Sequence, residues 1–426
     1  MKKILIIHPF LPYPLESGGH QALFNGILAI KDDMDVTLVY EAIDDEKHKL
    51  AQKAFLQRMP NVKLIPLLHQ PTPQYIPTKE ELIRGKVRNL YRRIFRIKDA
   101  PVVVPPKDIT NIWKFSVTPN NKKWAEHIYN VSHAEHYDII QIEMPWRISD
   151  IYAMPKDSKV VFVHHELGFV RREQELQNEG NCTYLQICKR FVDLNELAQL
   201  NMYDAVVTLS EIDKAKLINT GVKAPVYSSF AVVNYENTDE SRTRDTKRLV
   251  FIGPEGHPPN LFGLTWFLDN CWGKLKEKDS DYRLDIIGKW SLNKRNEIAN
   301  KYSNVNFLGF VDNLHEVING GIMIVPITIG SGIRMKILEA CYSGVPFVST
   351  SVGAEGIPVV HGEHCFLADK PEDFVNSIVK LQDSHIYDRF QISARDLVTN
   401  NFSIHTLREN RMNIYRSILE RKESGL

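Results

Sequence analysis

The chain has 426 residues, with 53 Lys and Arg against 52 Asp and Glu, so its formal net charge is +1. This length exceeds one ordinary hydrophobic core and predicts two domains. The near-neutral charge provides no general attraction to nucleic acid, so we expect no nucleic-acid partner. No uninterrupted run of about 18 apolar residues is present to span a membrane. The expected target is a small molecule or a localised surface.

The N-terminal apolar run is too short for a secretion signal. It covers Ile4 to Ile7 and ends at His8 and Pro9, which favours a buried strand. The five cysteines are scattered and lack CxxC spacing. Reduced thiols in a cytoplasmic protein, with no structural metal and no disulfide framework, are the simplest expectation.

Short apolar runs alternate with helical patterns along most of the chain, which predicts parallel sheets covered by helices. The polar segment 234–248 interrupts this alternation and reads as a linker. We therefore predict two doubly wound α/β domains, 1–235 and 245–402, whose ligands lie beyond the carboxyl ends of the strands. The predicted strands are 4–7, 36–40, 62–65, 139–142, 160–163 and 205–208 in the first domain, and 249–252, 284–287, 305–308, 322–325 and 347–349 in the second.

A basic segment interrupts the first domain. Residues 84–98 contain seven Lys or Arg and no acid, with apolar residues at helical spacing. This pattern predicts a basic amphipathic helix. Two interpretations remain open: the helix packs on its own domain with solvated arginines, or it contacts an anionic membrane or a lipid-linked acceptor.

The segment 322–357 is the most informative part of the sequence. A strand is followed by a loop from Gly330 to Gly332 and by a predicted helix from about 333 to 342. Free N–H groups at a helix N-terminus bind anions, and glycines let a phosphate approach closely. Arg334 and Lys336 add positive charge in the first turn, and the Glu339 carboxylate can accept both hydroxyls of a ribose. The pattern predicts a nucleotide site.

On these residues the chain resembles the retaining GT-B glycosyltransferases of group 1, also called family 4, over nearly its full length. The signature is Gly-Ser-Gly-Ile-Arg-Met-Lys-Ile-Leu-Glu-Ala at 330–340, followed by Gly-Val-Pro at 344–346 and by residues 350–356. Ser17, Gly18 and Gly19 are similar to the family's N-terminal glycine loop. The resemblance implies two Rossmann-like domains facing one cleft, with the terminal helix 403–426 crossing back to the first domain.

The resemblance also implies roles for individual residues. Gly18 and Gly19 would face the donor phosphates and the acceptor, with Ser17 beside them, and Glu339 would contact the donor ribose. The family's acidic motif has another glutamate eight residues before Glu339, where this chain has Ser331. The Ser331 hydroxyl and the backbone amides of Gly332 and Ile333 are the candidates to replace that glutamate.

The loop 253–260 lacks the Arg and Lys that many relatives use to neutralise the donor diphosphate. A leaving diphosphate needs that charge offset. Arg334 and Lys336 are therefore the candidates for this role.

Histidines follow the strand 160–163, where relatives place a histidine that faces the reacting sugar. His165 is favoured over His164 for this role, in which an imidazole could hydrogen-bond a donor hydroxyl. Glu143 ends its own strand at the same sheet edge and ranks first among further cleft candidates, followed by Arg147 and Asn234.

The implied activity is transfer of a sugar, of the hexosyl type, from a nucleotide-diphosphate sugar to an acceptor hydroxyl, with retention of configuration and no obligatory metal. The acceptor would be a saccharide or a lipid-linked saccharide in polysaccharide or glycoconjugate synthesis. We expect a cytoplasmic protein, with contact to the inner face of the membrane through 84–98 as an option. Two alternatives stay open: a nucleotide-sugar epimerase of the same fold, and a non-catalytic subunit that binds sugar nucleotides.

Overall fold

A computed structural model describes residues 1–71, 120–179, 182–233, 243–311 and 313–421. The predicted basic helix 84–98 and the candidate Asn234 lie outside the described residues. None of the helices in these ranges is both long and apolar enough to cross a bilayer.

The first half of the chain forms a seven-stranded parallel sheet in the order β3-β2-β1-β4-β5-β6-β7. Ile4 of β1 (Lys2–Ile7) pairs with Val36 on one side and with Ile139 on the other. Helices cover both faces, so the central strands are mostly apolar. The strands are β1 (Lys2–Ile7), β2 (Met34–Ile43), β3 (Lys63–His69), β4 (Ile139–Glu143), β5 (Lys159–His164), β6 (Ala205–Thr208) and β7 (Val226–Ser228).

The second half forms a six-stranded parallel sheet in the order β10-β9-β8-β11-β12-β13. Both sheets reverse their strand order beside the first strand, between β1 and β4 and between β8 and β11. Ligands of doubly wound sheets bind at the carboxyl end of such a switch point. The strands are β8 (Arg248–Ile252), β9 (Arg283–Ile287), β10 (Val305–Gly309), β11 (Ile322–Val325), β12 (Phe347–Ser349) and β13 (Phe366–Leu367).

Helices connect the strands and cover the sheets. In chain order they are α1 (Gly18–Ile30), α2 (Glu46–Arg58), α3 (Lys122–Ala134), a 3-10 helix (Pro145–Ala153), α4 (Gly168–Glu179), α5 (Thr183–Leu200), α6 (Glu211–Asn219), α7 (Pro258–Phe267), a π-helical turn (Leu268–Trp272), α8 (Gly273–Lys278), α9 (Leu292–Lys301), α10 (Leu314–Ile318), α11 (Met335–Tyr342), α12 (Pro371–Lys380), α13 (Ser384–Asn401) and α14 (Ile404–Glu420).

The last helix, α14, follows the second domain in sequence but packs on the first. Arg408 forms two 2.6 Å contacts with the Asp33 carboxylate, and Asn410 donates a hydrogen bond to the Ser228 carbonyl at 3.3 Å. A buried apolar cluster includes residues from both sheets and from α1, α11 and α14. The helix thus attaches the end of the chain to the N-terminal domain.

The predicted fold class, two doubly wound α/β domains, is confirmed. Every predicted strand is present with small shifts at its ends, whereas the short β7 and β13 were missed. The signature helix, predicted from about 333, begins two residues later, at Met335. The chain passes from the first sheet to the second between Ser228 and Arg248; the exact domain limits stay a prediction.

Candidate active site

Three polar side chains meet at the carboxyl edge of the first sheet. They are His8 after β1, Glu143 at the end of β4 and His165 after β5, and β4 lies between the other two strands. His165 Nε2 lies 2.7 Å from Glu143 Oε2. Burial lowers the pKa of His8 to about 3, so this imidazole is neutral near pH 7. The sheet topology alone explains why these residues converge.

Glu143 is held as a carboxylate by its partners. Burial opposes ionisation, but the hydrogen bond from His165 and the nearby charge of Arg411 bring its pKa below the ordinary value. Gln141 points to the same face of β4, two residues earlier, and donates from Nε2 to Glu143 Oε1 at 2.5 Å. Both carboxylate oxygens are therefore engaged, one by an amide and one by an imidazole.

His164 points away from this pair. Adjacent residues of an extended strand face opposite sides, and His164 Nε2 lies 3.3 Å from Glu196 Oε1 in the protein interior. Arg172 contacts the same glutamate at 2.5 Å and is itself buried. His164 thus belongs to a buried charged network between β5, α4 and α5, and the structure brings His165 alone to Glu143.

Arg147 is also separated from the His165 pair. Its guanidinium lies 3.1 Å from Glu41 and stacks 3.8 Å from the centre of the Trp124 ring. The residue is buried in the 3-10 helix. These contacts explain its burial as part of the first domain's packing.

The glycine loop of the second domain packs against the first. The Gly330 N–H donates to Gln174 Oε1 at 2.5 Å, and the Leu167 N–H donates to the Ser331 hydroxyl at 2.8 Å. Gly332 has a φ of +83°, and a Cβ added there would lie 2.4 Å from the His165 carbonyl oxygen. Ser331, where the family has a glutamate, therefore contacts the opposite domain.

The contact of Ser331 gives a stability prediction. Ser331→Ala should lower the free energy of unfolding by about 1–3 kcal/mol, because the buried Leu167 N–H loses its acceptor. Urea unfolding measures this change. Ser417→Ala is the matched control, because its hydroxyl bonds only to a carbonyl on an exposed turn of α14. Equal stability of the two variants would contradict the assignment.

Two ion pairs join the domains elsewhere along the cleft. Lys289 lies 2.8 Å from Glu16, and Lys216 contacts Glu355. The pair with Lys289 contributes most to lowering the pKa of Glu16. Exposed pairs of this kind contribute little energy, so they permit separation of the domains.

The basic residues of the signature differ in their surroundings. Arg334 is the N-cap residue of α11, and its buried guanidinium turns back to the carbonyl groups of Ser331 and, at 2.9 Å, Gly332. It braces the loop. Lys336 Nζ bonds to Asn260 Oδ1 at 2.8 Å, and burial lowers its pKa to about 7. Its ammonium also lies 4.7 Å from the centre of the Phe251 ring.

Glu339 lies one turn further along α11. Burial raises its pKa to about 8, and a hydrogen bond with Gln21 of α1 opposes this rise. The N-termini of the two helices meet nearby, because a Cβ added at Gly18 would lie 2.8 Å from Met335 Cγ. Ser17 caps α1 by accepting from the His20 N–H. The N-termini of α1 and α11 thus approach each other across the domains, with the Glu339 carboxyl beside α1, and N–H groups at a helix N-terminus bind anions.

Sequence reasoning missed Gln21, Gln141 and Tyr415. Gln141 had a signal, since a polar residue two positions before Glu143 in an otherwise apolar strand shares its face. Tyr415, whose hydroxyl donates to Gln141 Oε1 at 2.6 Å, had none, because 274 residues separate the two.

Comparison with known proteins agrees with this geometry. Residues 246–384 match the family model of group 1 glycosyl transferases. The match covers the second domain, including Lys336 and Glu339. The chain is also 22% identical over 423 residues to an uncharacterized 44.6 kDa protein in a cps region of Klebsiella pneumoniae, with 95% of each chain covered.

Solved structures give the same architecture. The chain superposes on S. aureus TarM, crystallised with fondaparinux, alpha-GlcNAc-glycerol and UDP, with a TM-score of 0.67, 13% identity and coverage of 97% of this chain and 100% of TarM. It superposes on Anabaena HepE, crystallised with UDP-glucose, with a TM-score of 0.65, 14% identity and coverage of 98% and 100%. The fold is GT-B.

Proposed function

We propose that this protein is a retaining glycosyltransferase of group 1, family 4, which moves a hexosyl group from a nucleotide-diphosphate sugar to an acceptor hydroxyl. The proposal rests on the position in the chain of the match to the family model. This match falls on the domain that holds Lys336 and Glu339, and Glu339 hydrogen-bonds with Gln21 in the first turn of α1. A cleft of this kind suits a donor with two phosphates and a ribose.

The donor phosphates would lie at the N-terminus of α11, where Lys336 offsets the charge of the leaving diphosphate without a metal ion. The Glu339 carboxyl would accept hydrogen bonds from the ribose, and His165 would contact the transferred sugar. Both oxygens of Glu143 are engaged by neighbours. A covalent intermediate on this carboxylate is therefore disfavoured, and we propose that the diphosphate leaves on the face from which the acceptor arrives. Closure of the domains would exclude water and favour transfer over hydrolysis.

The comparisons indicate which donor and which acceptor to test first. UDP in TarM and UDP-glucose in HepE support a UDP-sugar as donor. The relative in a cps region supports a saccharide acceptor in polysaccharide synthesis. A lipid-linked acceptor and a membrane contact through 84–98 remain part of the proposal; that segment lies outside the described residues.

A donor screen tests the function. The full-length protein is incubated with UDP-, GDP- and dTDP-sugars and a pool of saccharide and lipid-linked acceptors, and mass spectrometry detects released nucleoside diphosphate and glycosylated acceptor. We expect one donor class to give product, and the His165→Ala variant to give none. Binding without turnover would favour the non-catalytic subunit. An altered sugar on an intact nucleotide, detected by NMR, would establish the epimerase.

The ribose contact has its own test. Glu339→Ala should weaken binding of the nucleoside diphosphate found in the screen about tenfold, since removing one partner of a buried hydrogen bond costs about 1–3 kcal/mol. Isothermal titration calorimetry measures the affinity. Glu363→Ala, an exposed change in the same domain, is the control. An unchanged affinity would move the ribose site away from Glu339.

A further inference from the structure

A buried chain of hydrogen bonds runs from the last helix of the protein to His165. The Tyr415 hydroxyl on α14 donates to Gln141 Oε1 at 2.6 Å. Gln141 Nε2 donates to Glu143 Oε1 at 2.5 Å, and Glu143 Oε2 lies 2.7 Å from His165 Nε2. Tyr415, Gln141 and Glu143 are at most 3% exposed, so water does not replace these bonds.

This chain of hydrogen bonds has a direction, because each donor group in it has one acceptor. The Tyr415 hydroxyl donates a hydrogen bond to the carbonyl oxygen of the Gln141 amide, which orients the NH₂ group toward Glu143. Amide N–H groups donate, and an ionised carboxylate accepts only. The second oxygen of Glu143 is thereby left for His165 Nε2–H. A neutral His165 ring carries its proton on Nε2, and its Nδ1 is then an acceptor.

Helix α14 also brings a charge to this cluster. Arg411 lies one turn before Tyr415 on the same face of the helix and is 7% exposed. Its guanidinium lines one cavity together with Gln141, Glu143, His165 and Tyr415. Its positive charge favours the ionised form of Glu143, which the chain requires. The helix therefore supplies both a hydrogen bond and a counter-charge.

We propose that Tyr415 is a positioning residue for sugar transfer: through Gln141 and Glu143 it holds His165 as the Nε2–H tautomer, with Nδ1 free to accept a hydrogen bond from a donor-sugar hydroxyl. The inference rests on the proposed function, because only a sugar donor gives His165 this partner. Without the Tyr415 hydroxyl, the Gln141 amide can turn its carbonyl to Glu143. Two acceptors then face each other, so Glu143 takes up a proton from solvent, and the protonated carboxyl can donate to His165 Nε2 in place of accepting from it. Packing of α14 on the first domain is then a condition for catalysis.

The experiment uses Tyr415→Phe in the full-length chain. Two-dimensional ¹⁵N NMR of histidine-labelled protein reports the tautomer, with the His165 signals assigned by their loss in His165→Gln. Wild type should show the Nε2–H pattern, and Tyr415→Phe should show a mixture of tautomers. With the donor from the screen, kcat should fall about tenfold while KM and the affinity for the released nucleoside diphosphate stay constant. Tyr387→Phe removes a hydroxyl bonded to the Gly321 carbonyl at 3.0 Å in the other domain, and should match wild type in each measurement.

Thermal unfolding confirms that the variants are folded. Gln141→Leu interrupts the same chain of hydrogen bonds at a second position. Unchanged His165 ¹⁵N signals in both folded variants would overturn the inference, with or without a loss of kcat. The NMR measurement needs no substrate. If wild type transfers no sugar at all, the proposed function fails while the spectra still decide whether Tyr415 sets the tautomer of His165.

Discussion

Replacing Lys336 by methionine should lower kcat with the cognate donor about 100-fold and weaken binding of a nucleoside diphosphate. Removal of one preorganised donor from developing negative charge typically costs about 10²–10³ in rate. Lys336 is the side chain expected to meet the diphosphate, because Arg334 is engaged by the carbonyl groups of its own loop. Titration calorimetry and initial rates measure the two effects.

The pH dependence makes this prediction specific. Burial lowers the pKa of Lys336 to about 7, so the free protein loses this charge as pH rises through 7. Wild-type affinity for the diphosphate should therefore decline above pH 7, and the Lys336→Met variant should lack the decline. The unfolded chain keeps its lysine charged up to about pH 10.4. Wild-type stability should thus rise between pH 7 and about 10 through this group, and that rise should be absent in the variant.

A surface lysine serves as the control for these measurements. Lys294→Met removes a charge that pairs with Glu297 on α9. It should leave affinity and pH dependence as in wild type. Equal losses in the two variants would show that net charge, and no local contact of Lys336, governs binding.

Gly332→Ala should lower kcat about 100-fold with little change in diphosphate affinity. A Cβ at this position would lie 2.4 Å from the His165 carbonyl oxygen, so either the glycine loop or the His165 backbone must move. Displacement of a positioned group by about 1 Å can reduce the rate by 10². Steady-state kinetics and calorimetry separate the two parameters.

Gly309 offers a matched control, because it shares the backbone conformation without the contact. Its φ is +73°, and an added Cβ would meet nothing within 4 Å. Gly309→Ala should therefore show the conformational cost of an L-residue at positive φ, of about 1–2 kcal/mol in stability, and normal kcat. If both variants lose activity alike, strain within the second domain explains the loss, and the contact with His165 does not.

The sequence was sufficient for the fold because each domain is built on one parallel sheet. Such strands are buried on both faces and form continuous apolar runs, which the pattern from Ile322 to Val325 illustrates. The strand Phe366–Leu367 could not be found this way, since two residues carry no periodicity. Its pairing with β12 depends on the sheet that is already formed.

The candidate site was predictable where local structure determines it. A loop of glycines before a helix places Lys336 and Glu339 on one turn, whatever the rest of the chain does. The choice between His164 and His165 was not local. Neighbouring residues face opposite sides of the strand, and only the positions of Glu196 and Glu143 in space show which histidine reaches the sheet edge. The role of Arg334 was not predictable either, because it depends on α11 beginning at Met335, which makes Arg334 the N-cap residue.

The return of α14 to the first domain means that the backbone crosses between the domains twice. One crossing follows Phe230, and the other lies at Phe402 between α13 and α14. The rings of these two residues are in edge contact, with centroids 5.4 Å apart. Because the described ends of the two crossings are in contact, we expect the domains to rotate about this joint while each sheet moves as a rigid body. Sliding or twisting of one domain over the other would strain both crossings.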